Sequence, residues 1–316
     1  MSIAVVVVNF NSGVLLAKCL RHLERQTLQP EQVFVVDNAS TDNSAACTSE
    51  FAGVTLLDMN RNVGFAAGNN AALSLCDTDF VVLLNPDAFP EPDWLEHLLN
   101  AATTNPDYSM FGSLQVCYEK PKILDGIGDS YFISGRVLRK LHGVPLKADK
   151  LESVEIFSPC AAAALYRRQA LAEVDGFDDD YFCYVEDIDL GFRLRLAGHK
   201  AMFVPDAVVR HMGSAVTGGQ HSDFSVYHGH RNLVWTYVKN MPGILFWLLL
   251  PLHLLLNVVT LMWFFFHGQA AVILQSKMDA IKGLPIMWTK RHQIQIARKT
   301  TVINIWRALD KRLFTI

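Results

Sequence analysis

Short runs of β-branched residues alternate with polar-faced helical stretches along the first 115 residues of the chain. The runs IAVVVV, EQVFVVD, VTLLDM and DFVVLLN predict strands, and VLLAKCLRHLERQ and AAGNNAALSLC predict helices between them. This rhythm indicates an α/β fold with a mostly parallel sheet covered by helices. The first run is short, β-branched and not preceded by a charged segment, so we expect a strand rather than a secretion signal, and folding that begins in the cytoplasm.

Polar residues close three of the predicted strands. They are Asn9-Phe10-Asn11, Asp37-Asn38-Ala39-Ser40-Thr41-Asp42 and Asn85-Pro86-Asp87. Asn, Asp and Ser also cap helices and form turns, but three such groups at one sheet edge favour a ligand site, because ligands of these folds bind outside the carboxyl ends of the strands. Neither a Walker loop nor G-x-G-x-x-G follows the first strand, so a bound nucleotide needs a carboxylate-held divalent metal to neutralise its phosphates.

The region from Tyr108 to Arg168 is less periodic than the first third of the chain. Its Gly-rich, aromatic stretch predicts loops, which are candidates for acceptor contacts or ordinary turns: Gly126, Gly128, Tyr131, Phe132 and Gly135. The densest cluster follows, GFDDDYFCYVEDIDLGFRLRLAGHKAMFVPDAVVRHMG. Its pattern predicts acids before a helix, a Gly-His cap after that helix, and a strand that ends on His211.

Five motifs occur in order over residues 3 to 215: VVVVNFN, VVDNASTDNS, NRNVGFAAGNN, LLNPDA and GFDDDYFCYVEDIDLGFRLRLAG. Together they resemble the inverting family-2 glycosyltransferases, and more narrowly the rhamnosyltransferase-like branch of bacterial surface polysaccharide assembly. The resemblance implies a nucleotide-sugar-binding, Rossmann-like mixed sheet of the GT-A type. It also implies Mg²⁺- or Mn²⁺-dependent transfer of a hexose, with dTDP-L-rhamnose as the expected donor and UDP-hexoses as alternatives.

The resemblance also assigns roles to individual residues. Asp37 is expected to hold the nucleobase or ribose, and Asn62 and Gly64 to shape the loop under the diphosphate. Asp87 and His211 are expected to bind the metal, although the family's usual Asp-x-Asp is here Asn85-Pro86-Asp87 and a capping or core role remains open for the histidine. The full set of donor-side candidates is Asn9, Phe10, Asn11, Asp37, Asn38, Asn62, Gly64, Asn70, Asn85 and Asp87.

The segment VEDIDL carries the candidates for the base that accepts the proton of the acceptor hydroxyl. Glu186, Asp187 and Asp189 cannot all face one ligand, because neighbouring helical positions point about 100° apart. The resemblance favours Asp187, with Glu186 next. Asp189 is interpreted as a first-turn carboxylate that complements the helix dipole, and the same plain role is open for all three.

A 23-residue apolar stretch without formal charge covers residues 244 to 266, which is long enough to cross a bilayer. From Lys277 onward the chain contains nine Lys and Arg but only two acidic residues, so the net charge of this tail is +7 and that of the rest of the chain is −10. A simple crossing would place the tail outside, which the positive-inside rule disfavours for an enzyme of cytosolic nucleotide sugars. We therefore expect a re-entrant or in-plane segment on anionic lipid, with a buried helical hairpin or an oligomer contact as the alternative.

Four segments follow from these features. They are a catalytic domain (1–215), a connecting and acceptor-side segment (216–243), an apolar membrane-associated segment (244–276) and a basic amphipathic tail (277–316). In the tail, Val302, Trp306, Leu309 and Leu313 share one predicted helical face. Ahead of the apolar segment, a basic group is expected to meet the phosphates of a lipid-linked saccharide acceptor: His228, His230, Arg231 and Asn232.

The expected location is the cytoplasmic face of the inner (cell) membrane. The six scattered cysteines are expected to be reduced and structural, and no recognition motif indicates nucleic acid. Two other functions compete. A non-catalytic sugar-nucleotide-binding membrane subunit fits the single carboxylate of Asn85-Pro86-Asp87, and a nucleotidyltransferase predicts a basic N-terminal loop that SIAVVVVNFNSG does not provide.

Overall fold

The computed structural model describes residues 1–146, 151–213 and 221–312. Its strands, in chain order, are β1 (Ile3–Asn9), β2 (Gln32–Asp37), β3 (Val54–Asp58), β4 (Phe80–Leu84), β5 (Ala88–Pro90), β6 (Met110–Cys117), β7 (Leu124–Gly126), β8 (Asp129–Tyr131), β9 (Val137–Arg139), β10 (Glu155–Ile156), β11 (Ala163–Arg167) and β12 (Ala201–His211). Its helices are α1 (Leu15–Glu24), α2 (Gly64–Leu73), α3 (Trp94–Thr104), α4 (Arg168–Glu173), α5 (Glu186–Leu196), α6 (Asp223–Asn240), α7 (Gly243–Phe266), α8 (Ala270–Ala297) and α9 (Val302–Ala308).

A mixed sheet with the strand order β10-β12-β6-β11-β4-β1-β2-β3 forms the centre of the fold. Strands β1 to β4 run parallel to their neighbours among themselves, and β11 is antiparallel to both β4 and β6. The predicted α/β class and all four predicted strands of the first third are therefore confirmed. Strands β6 and β11 lie in the middle of the sheet although the sequence around them is poorly periodic, because polar and small residues interrupt their apolar pattern.

Both faces of the sheet are covered at its centre, which explains why β1 and β4 are continuously apolar. Alternate residues of β1 enter different cores: Val5 and Val7 pack with α1 and α3, while Val6 and Val8 pack with α2 and α5. A third core joins the edge of the catalytic domain to the C-terminal helices. It contains Tyr131, Phe157 and Phe192 together with residues of α6 to α9.

The Gly-rich stretch that the sequence predicted as loops includes the short strands β7 and β8. Its two aromatic residues are buried in or beside the third core, Tyr131 at 0% and Phe132 at 3% exposure. Acceptor contacts from these two side chains are therefore excluded.

Helix α7 is, within the described residues, the one helix long and apolar enough to cross a membrane. Its polar residues face the protein: His253 donates to the carbonyl of Ser134 at 2.9 Å and stacks on Tyr237, and Asn257 accepts from Lys277 at 2.6 Å. The opposite face is apolar and exposed, and includes Ile244, Trp247, Leu248, Leu254, Leu255, Val258, Val259 and Met262. Contacts with the protein extend along the helix from Leu245 to Phe264.

The C-terminal tail differs from the prediction in its helix boundaries and in the residues of its buried face. Helix α8 runs through the predicted boundary at 276/277, and α9 ends at Ala308. The buried face of α9 is formed by Ile305 and Leu309, each 2% exposed, while Trp306 is exposed. The helix cannot continue because Asp310 pairs with the backbone of Tyr131 and Ile133, and Leu313 of the predicted face lies outside the described residues.

Candidate active site

The carboxyl ends of β1 and β2 form one hydrogen-bonded unit at the edge of the sheet. The amide of Asn9, which is fully buried, donates to Asp37 Oδ1 at 2.7 Å and to the hydroxyl of Ser44 at 2.9 Å. Ser40 also donates to Asp37 Oδ1, at 2.6 Å. These bonds hold the Asp37 carboxylate in place. The Asn9 amide is used up by its bonds to Asp37 and Ser44, so Asn9 positions the site rather than contacting a ligand through this group.

The loop before α2 is held by the side chain of Asn38. Its Oδ1 accepts from the backbone of Val63 at 2.9 Å and its amide donates to the carbonyl of Gly64 at 3.0 Å. Asn62 Oδ1 accepts from the Gly64 N–H at 2.9 Å. Gly64 has φ +86°, and a Cβ there would lie 2.5 Å from the carbonyl oxygen of Phe182, so only glycine fits this close approach. The predicted loop residues thus lie together beside Asp37.

Two of the donor-side candidates lie at the open rim and one lies elsewhere. Phe10 is 36% exposed, and Asn11 accepts from the backbone of Thr41 at 2.7 Å. Asn70 was assigned to the donor, but both ends of its amide bond the backbone of Phe177 at 2.9 Å. Asn70 therefore joins α2 to the acidic segment, and its contact with the donor stays a prediction.

Asp87 and His211 meet at the same sheet edge because β5 pairs with the end of β12, with Ala88 opposite His211. Both side chains are buried, and His211 Nε2 lies 3.4 Å from Asp87 Oδ1. This Nε2 forms no hydrogen bond within the described residues, and the nearby Asn85 Oδ1 is likewise buried without a partner. Buried polar atoms are rarely left unsatisfied, so an imidazole nitrogen facing a carboxylate at this point fits a divalent cation.

The other nitrogen of His211 is held by Asp125, which the sequence analysis did not single out. His211 Nδ1 lies 2.8 Å from Asp125 Oδ2, the arrangement by which a carboxylate orients a metal-binding imidazole. Burial acts to lower the pKa of His211, but its contacts with Asp125 and Asp87 outweigh burial and raise it to about 9. These carboxylates favour a positive charge at this point, which a divalent cation bound to Nε2 would supply in place of the ring proton. Arg139 Nη1 donates to the same Asp125 oxygen at 3.0 Å.

Asp187 and Glu186 begin α5 on the far side of Arg139. Asp187 is partly exposed and accepts from the backbone N–H groups of Ile188 at 2.8 Å and Ala161 at 3.2 Å. Burial raises the pKa of Asp187 above its ordinary value, against the opposing effect of those N–H groups and of Arg139. Glu186 is buried, and burial together with the charge of Asp187 raises its pKa well above the ordinary range. Asp187 is therefore the accessible carboxylate of the pair.

A second group with metal-ligating atoms contains Asp129, Cys160 and Asp187, whose atoms lie within 4.8 Å of one another. Arg139 already provides a cation there: its Nη2 lies 2.7 Å from Cys160 Sγ, and its Nε lies 3.7 Å from Asp129. Burial also raises the pKa of the Cys160 thiol, and a protonated thiol is a poor ligand. The Asp87–His211 pair is the better fit to a metal ion.

Asp189 lies in the first turn of α5, as the sequence predicted, but its contacts extend beyond its own helix. It is fully buried and forms ion pairs with Lys239 and Arg193, each at 2.8 Å. Asn240 and Tyr181 also donate to it, at 2.7 and 3.1 Å. This network attaches α5 to α6. The burial of Lys239 was not predictable from the sequence, because a lysine near the end of a helix is normally exposed to solvent.

The four predicted acceptor-side residues have mostly structural contacts. Asn232 is fully buried and donates to the carbonyls of Tyr181, Cys183 and Tyr184, so it cannot reach a phosphate. Arg231 donates to the carbonyls of Asp180 and Tyr181 and covers the Trp235 ring.

The two histidines of this group are poor candidates for phosphate binding. Burial lowers the pKa of His230 to about 3 and of His228 to about 4, which leaves both rings neutral. His228 stacks on Phe182 at 5.2 Å. Of the predicted group, His228 is therefore the one beside the Gly64 loop.

Comparison with solved structures identifies the type of fold. GalNAc-T7 with UDP, GalNAc and Mn²⁺ aligns with a TM-score of 0.61 at 15% identity, over 76% of this chain and 48% of that one. The mannosyltransferase PcManGT from Pyrobaculum calidifontis, in complex with GDP-Man and Mn²⁺, aligns with a TM-score of 0.55 at 18% identity, over 96% and 87%. The fold is that of the GT-A-type glycosyltransferases.

Sequence comparison then gives the family. The model described as Glycosyl transferase family 2 matches residues 4–175, and the chain belongs to this family of glycosyltransferases. It is 29% identical over 240 residues to an N-acetylglucosaminyl-diphospho-decaprenol L-rhamnosyltransferase of Mycobacterium tuberculosis, covering 68% of this chain and 77% of that protein. It is 24% identical over 216 residues to the O-antigen chain rhamnosyltransferase RfbN of Salmonella typhimurium, covering 67% and 66%.

Proposed function

We propose that this glycosyltransferase moves L-rhamnose from dTDP-rhamnose to a lipid-linked saccharide, with inversion at the anomeric carbon, at the cytoplasmic face of the membrane. The observation that carries the proposal is the joint placement of Asp37, the Asp87–His211 pair and Asp187 along the carboxyl edge of one sheet. The donor is suggested by the relatives, whose names describe rhamnosyl transfer. The lipid-linked acceptor is suggested by the first of them, which acts on a diphospho-decaprenol.

Each residue of the edge has a task in this reaction. Asp37 offers a fixed carboxylate to the ribose or base, and the Asn62–Gly64 loop brings backbone close to the diphosphate. Asp87 and His211 would hold Mg²⁺ or Mn²⁺, which supplies stabilisation of the negative charge on the leaving diphosphate. Asp125 keeps the His211 ring oriented so that Nε2 faces the site.

Asp187 is assigned as the base. A single displacement needs one group that accepts the proton of the attacking hydroxyl. Asp187 is partly exposed and its raised pKa brings its basicity closer to neutrality, whereas Glu186 is buried and held protonated. Activity should therefore fall as the pH drops through the pKa of Asp187, at a higher pH than for an ordinary aspartate, whose pKa is about 3.9.

The exposed face of α7 supports a position in the plane of the membrane. One side of this helix packs against the rest of the protein from Leu245 to Phe264, which favours a helix that lies along the membrane surface over one that crosses the bilayer. One apolar face outward and one polar-lined face inward are typical of an interfacial helix.

The test is release of nucleoside diphosphate from dTDP-, UDP- and GDP-sugars by the full chain, with Mg²⁺ or Mn²⁺ and lipid-linked acceptor extract. We expect metal-dependent release from dTDP-rhamnose that Asp187→Asn lowers by about 10²- to 10⁴-fold. Asp77→Asn, which removes an exposed carboxylate far from the sheet edge, is the matched control.

Release from UDP-hexoses alone would replace the proposed donor. Donor binding without turnover for every sugar would instead indicate a non-catalytic binding subunit.

A further inference from the structure

A pocket of about 270 Å³ lies where α7 begins, at the opposite end of α6 from the stacked pair of Phe182 and His228. It is lined by Gly243, Trp288, Arg291, His292, Gln295 and Arg298. None of these residues belongs to the candidate active site. Two guanidinium groups, an imidazole and an amide thus face one small volume on the C-terminal helices.

In the described part of the chain, the two arginines of this pocket contact backbone carbonyls, and Arg291 aromatic rings as well, rather than carboxylates. Arg291 Nη1 donates to the carbonyls of Val238 at 2.9 Å and Met241 at 2.6 Å. Arg298 Nη1 donates weakly to the carbonyl of Thr300 at 3.3 Å, and its Nε is buried without a hydrogen-bond partner. Over the described ranges, neither guanidinium forms an ion pair with a carboxylate.

Their sequence neighbours behave differently. Lys290 pairs with Asp178 and Asp180, and Lys299 pairs with Glu173. The lysines beside the pocket are therefore neutralised within the protein, while the pocket itself keeps its positive charge. An anion from outside is the partner that this arrangement lacks.

The pocket also terminates an exposed apolar surface. Helix α8 presents a stripe at helical spacing that consists of Leu274, Met278, Ile281, Pro285, Trp288 and Ile296. Trp288 belongs both to this stripe and to the pocket lining, and Ile244 and Trp247 of α7 are exposed next to Gly243. The charged pocket lies at the boundary of the apolar surface, with an indole between them.

The spatial order of apolar stripe, Trp288 indole and arginines corresponds to the order of layers at a membrane surface. Apolar side chains enter the acyl region, Trp favours the interface, and Arg pairs with phosphate in the head-group layer. We propose that the Arg291–Arg298 pocket binds a phosphate group carried by an anionic membrane lipid. The inference rests on the membrane attachment in the proposed function and adds a defined site to it. The phosphate has two possible sources, an anionic phospholipid head group or the diphosphate of the lipid-linked acceptor.

Flotation of the full chain with three kinds of vesicle tests the proposal. The vesicles contain phosphatidylcholine alone, phosphatidylcholine with phosphatidylglycerol, or phosphatidylcholine with a polyprenyl diphosphate. The variants are Arg298→Gln, Arg298→Lys, and Lys282→Gln as the matched control, because Lys282 is an exposed cation of α8 that already pairs with Asp279. We expect Arg298→Gln to lower binding to one of the two kinds of anionic vesicle about fivefold, the effect of one cation at an anionic surface, with Arg298→Lys close to wild type.

The vesicle types distinguish the two sources of the phosphate, and the control variant tests the proposal itself. Loss with phosphatidylglycerol assigns the pocket to a head group, and loss with polyprenyl diphosphate alone assigns it to the acceptor. Equal binding of Arg298→Gln and wild type in both arms, an equal loss in Lys282→Gln, or an equal loss on phosphatidylcholine alone overturns the proposal. Donor turnover with a soluble acceptor is measured on the same preparations. If the lipid-binding proposal is overturned but turnover persists, the proposed function still stands. If the wild type shows no turnover, that result counts against the proposed function rather than against the lipid site.

Discussion

Replacement of Lys239 by methionine tests how α5, the helix that carries the proposed base Asp187, is attached to the rest of the protein. Lys239 is fully buried and its Nζ lies 2.8 Å from Asp189 Oδ1, with Asp178 as a second partner. The variant leaves two carboxylates without this cation, and the loss of one partner of a buried ion pair costs about 3–5 kcal/mol. With an unfolding entropy of about 2.1 cal/mol/K per residue, a chain of 316 residues loses roughly 1.5 °C per kcal/mol, so the midpoint of thermal unfolding should fall by about 5–8 °C.

The assay is thermal unfolding followed by intrinsic tryptophan fluorescence, with Lys282→Met as a control on an exposed lysine whose replacement should change stability by about 0.5 kcal/mol or less. The double variant Lys239→Met/Asp189→Asn should lose less stability than the sum of the two single losses, because both single variants remove the same Lys239–Asp189 ion pair. Turnover should decrease as well, because Asp187 lies two residues before Asp189 on α5. A loss below about 1 kcal/mol in Lys239→Met would refute the reasoning.

The same variant has a defined pH dependence. Burial acts to raise the pKa of Asp189, but Lys239 and Arg193 outweigh it and lower the pKa below the ordinary value. In the wild type this contribution to stability is present above about pH 4 and is lost as the pH falls through the folded pKa. In Lys239→Met the pKa of Asp189 should rise, so the stability deficit should shrink as the pH is lowered from about 7 towards 5.

Three further outcomes are expected. Asp125→Asn should weaken Mn²⁺ binding about 10- to 100-fold through the orientation of His211, measured by titration calorimetry, and unchanged affinity would contradict that role. Gly64→Ala should raise the KM for the donor and destabilise the fold by about 1–2 kcal/mol or more, because φ is +86° and the new Cβ meets Phe182; wild-type kinetics would show that the loop adapts. Val258→Gln on the outer face of α7 should reduce vesicle binding without lowering the unfolding midpoint, whereas a lowered midpoint would place that face inside a protein contact.

The order of strands and helices in the first third of the chain was predictable because each element has its own apolar period. The polar strand ends were predictable for a related reason. Asp37 ends β2 and Asp87 follows β4, both in the parallel part of the mixed sheet, and the carboxyl ends of parallel strands meet at one edge. The resemblance to family-2 glycosyltransferases extended this to Asp187 and His211, and the structure places His211 beside Asp87.

Contacts between distant segments were not predictable in the same way. Asp125 and Arg139 lie in a stretch without a clear period, and their importance appears only when β7 and β9 bring them to His211 and Cys160. Asn232 looked like an acceptor ligand because an amide next to an arginine has the same appearance at a site and in a core. The tertiary structure shows it bonded to the loop before α5.

The sequence by itself determined the α/β class, the position of the site on the sheet and the presence of an apolar segment near the C-terminus, because local period and composition encode these features. Only the tertiary structure decided which polar groups are buried and paired, as with Asp189 and Lys239, and which face of α7 is left exposed. Burial and pairing depend on segments far apart in the chain. Burial and pairing together decide whether an aspartate or a histidine acts as a base, a ligand or a structural contact.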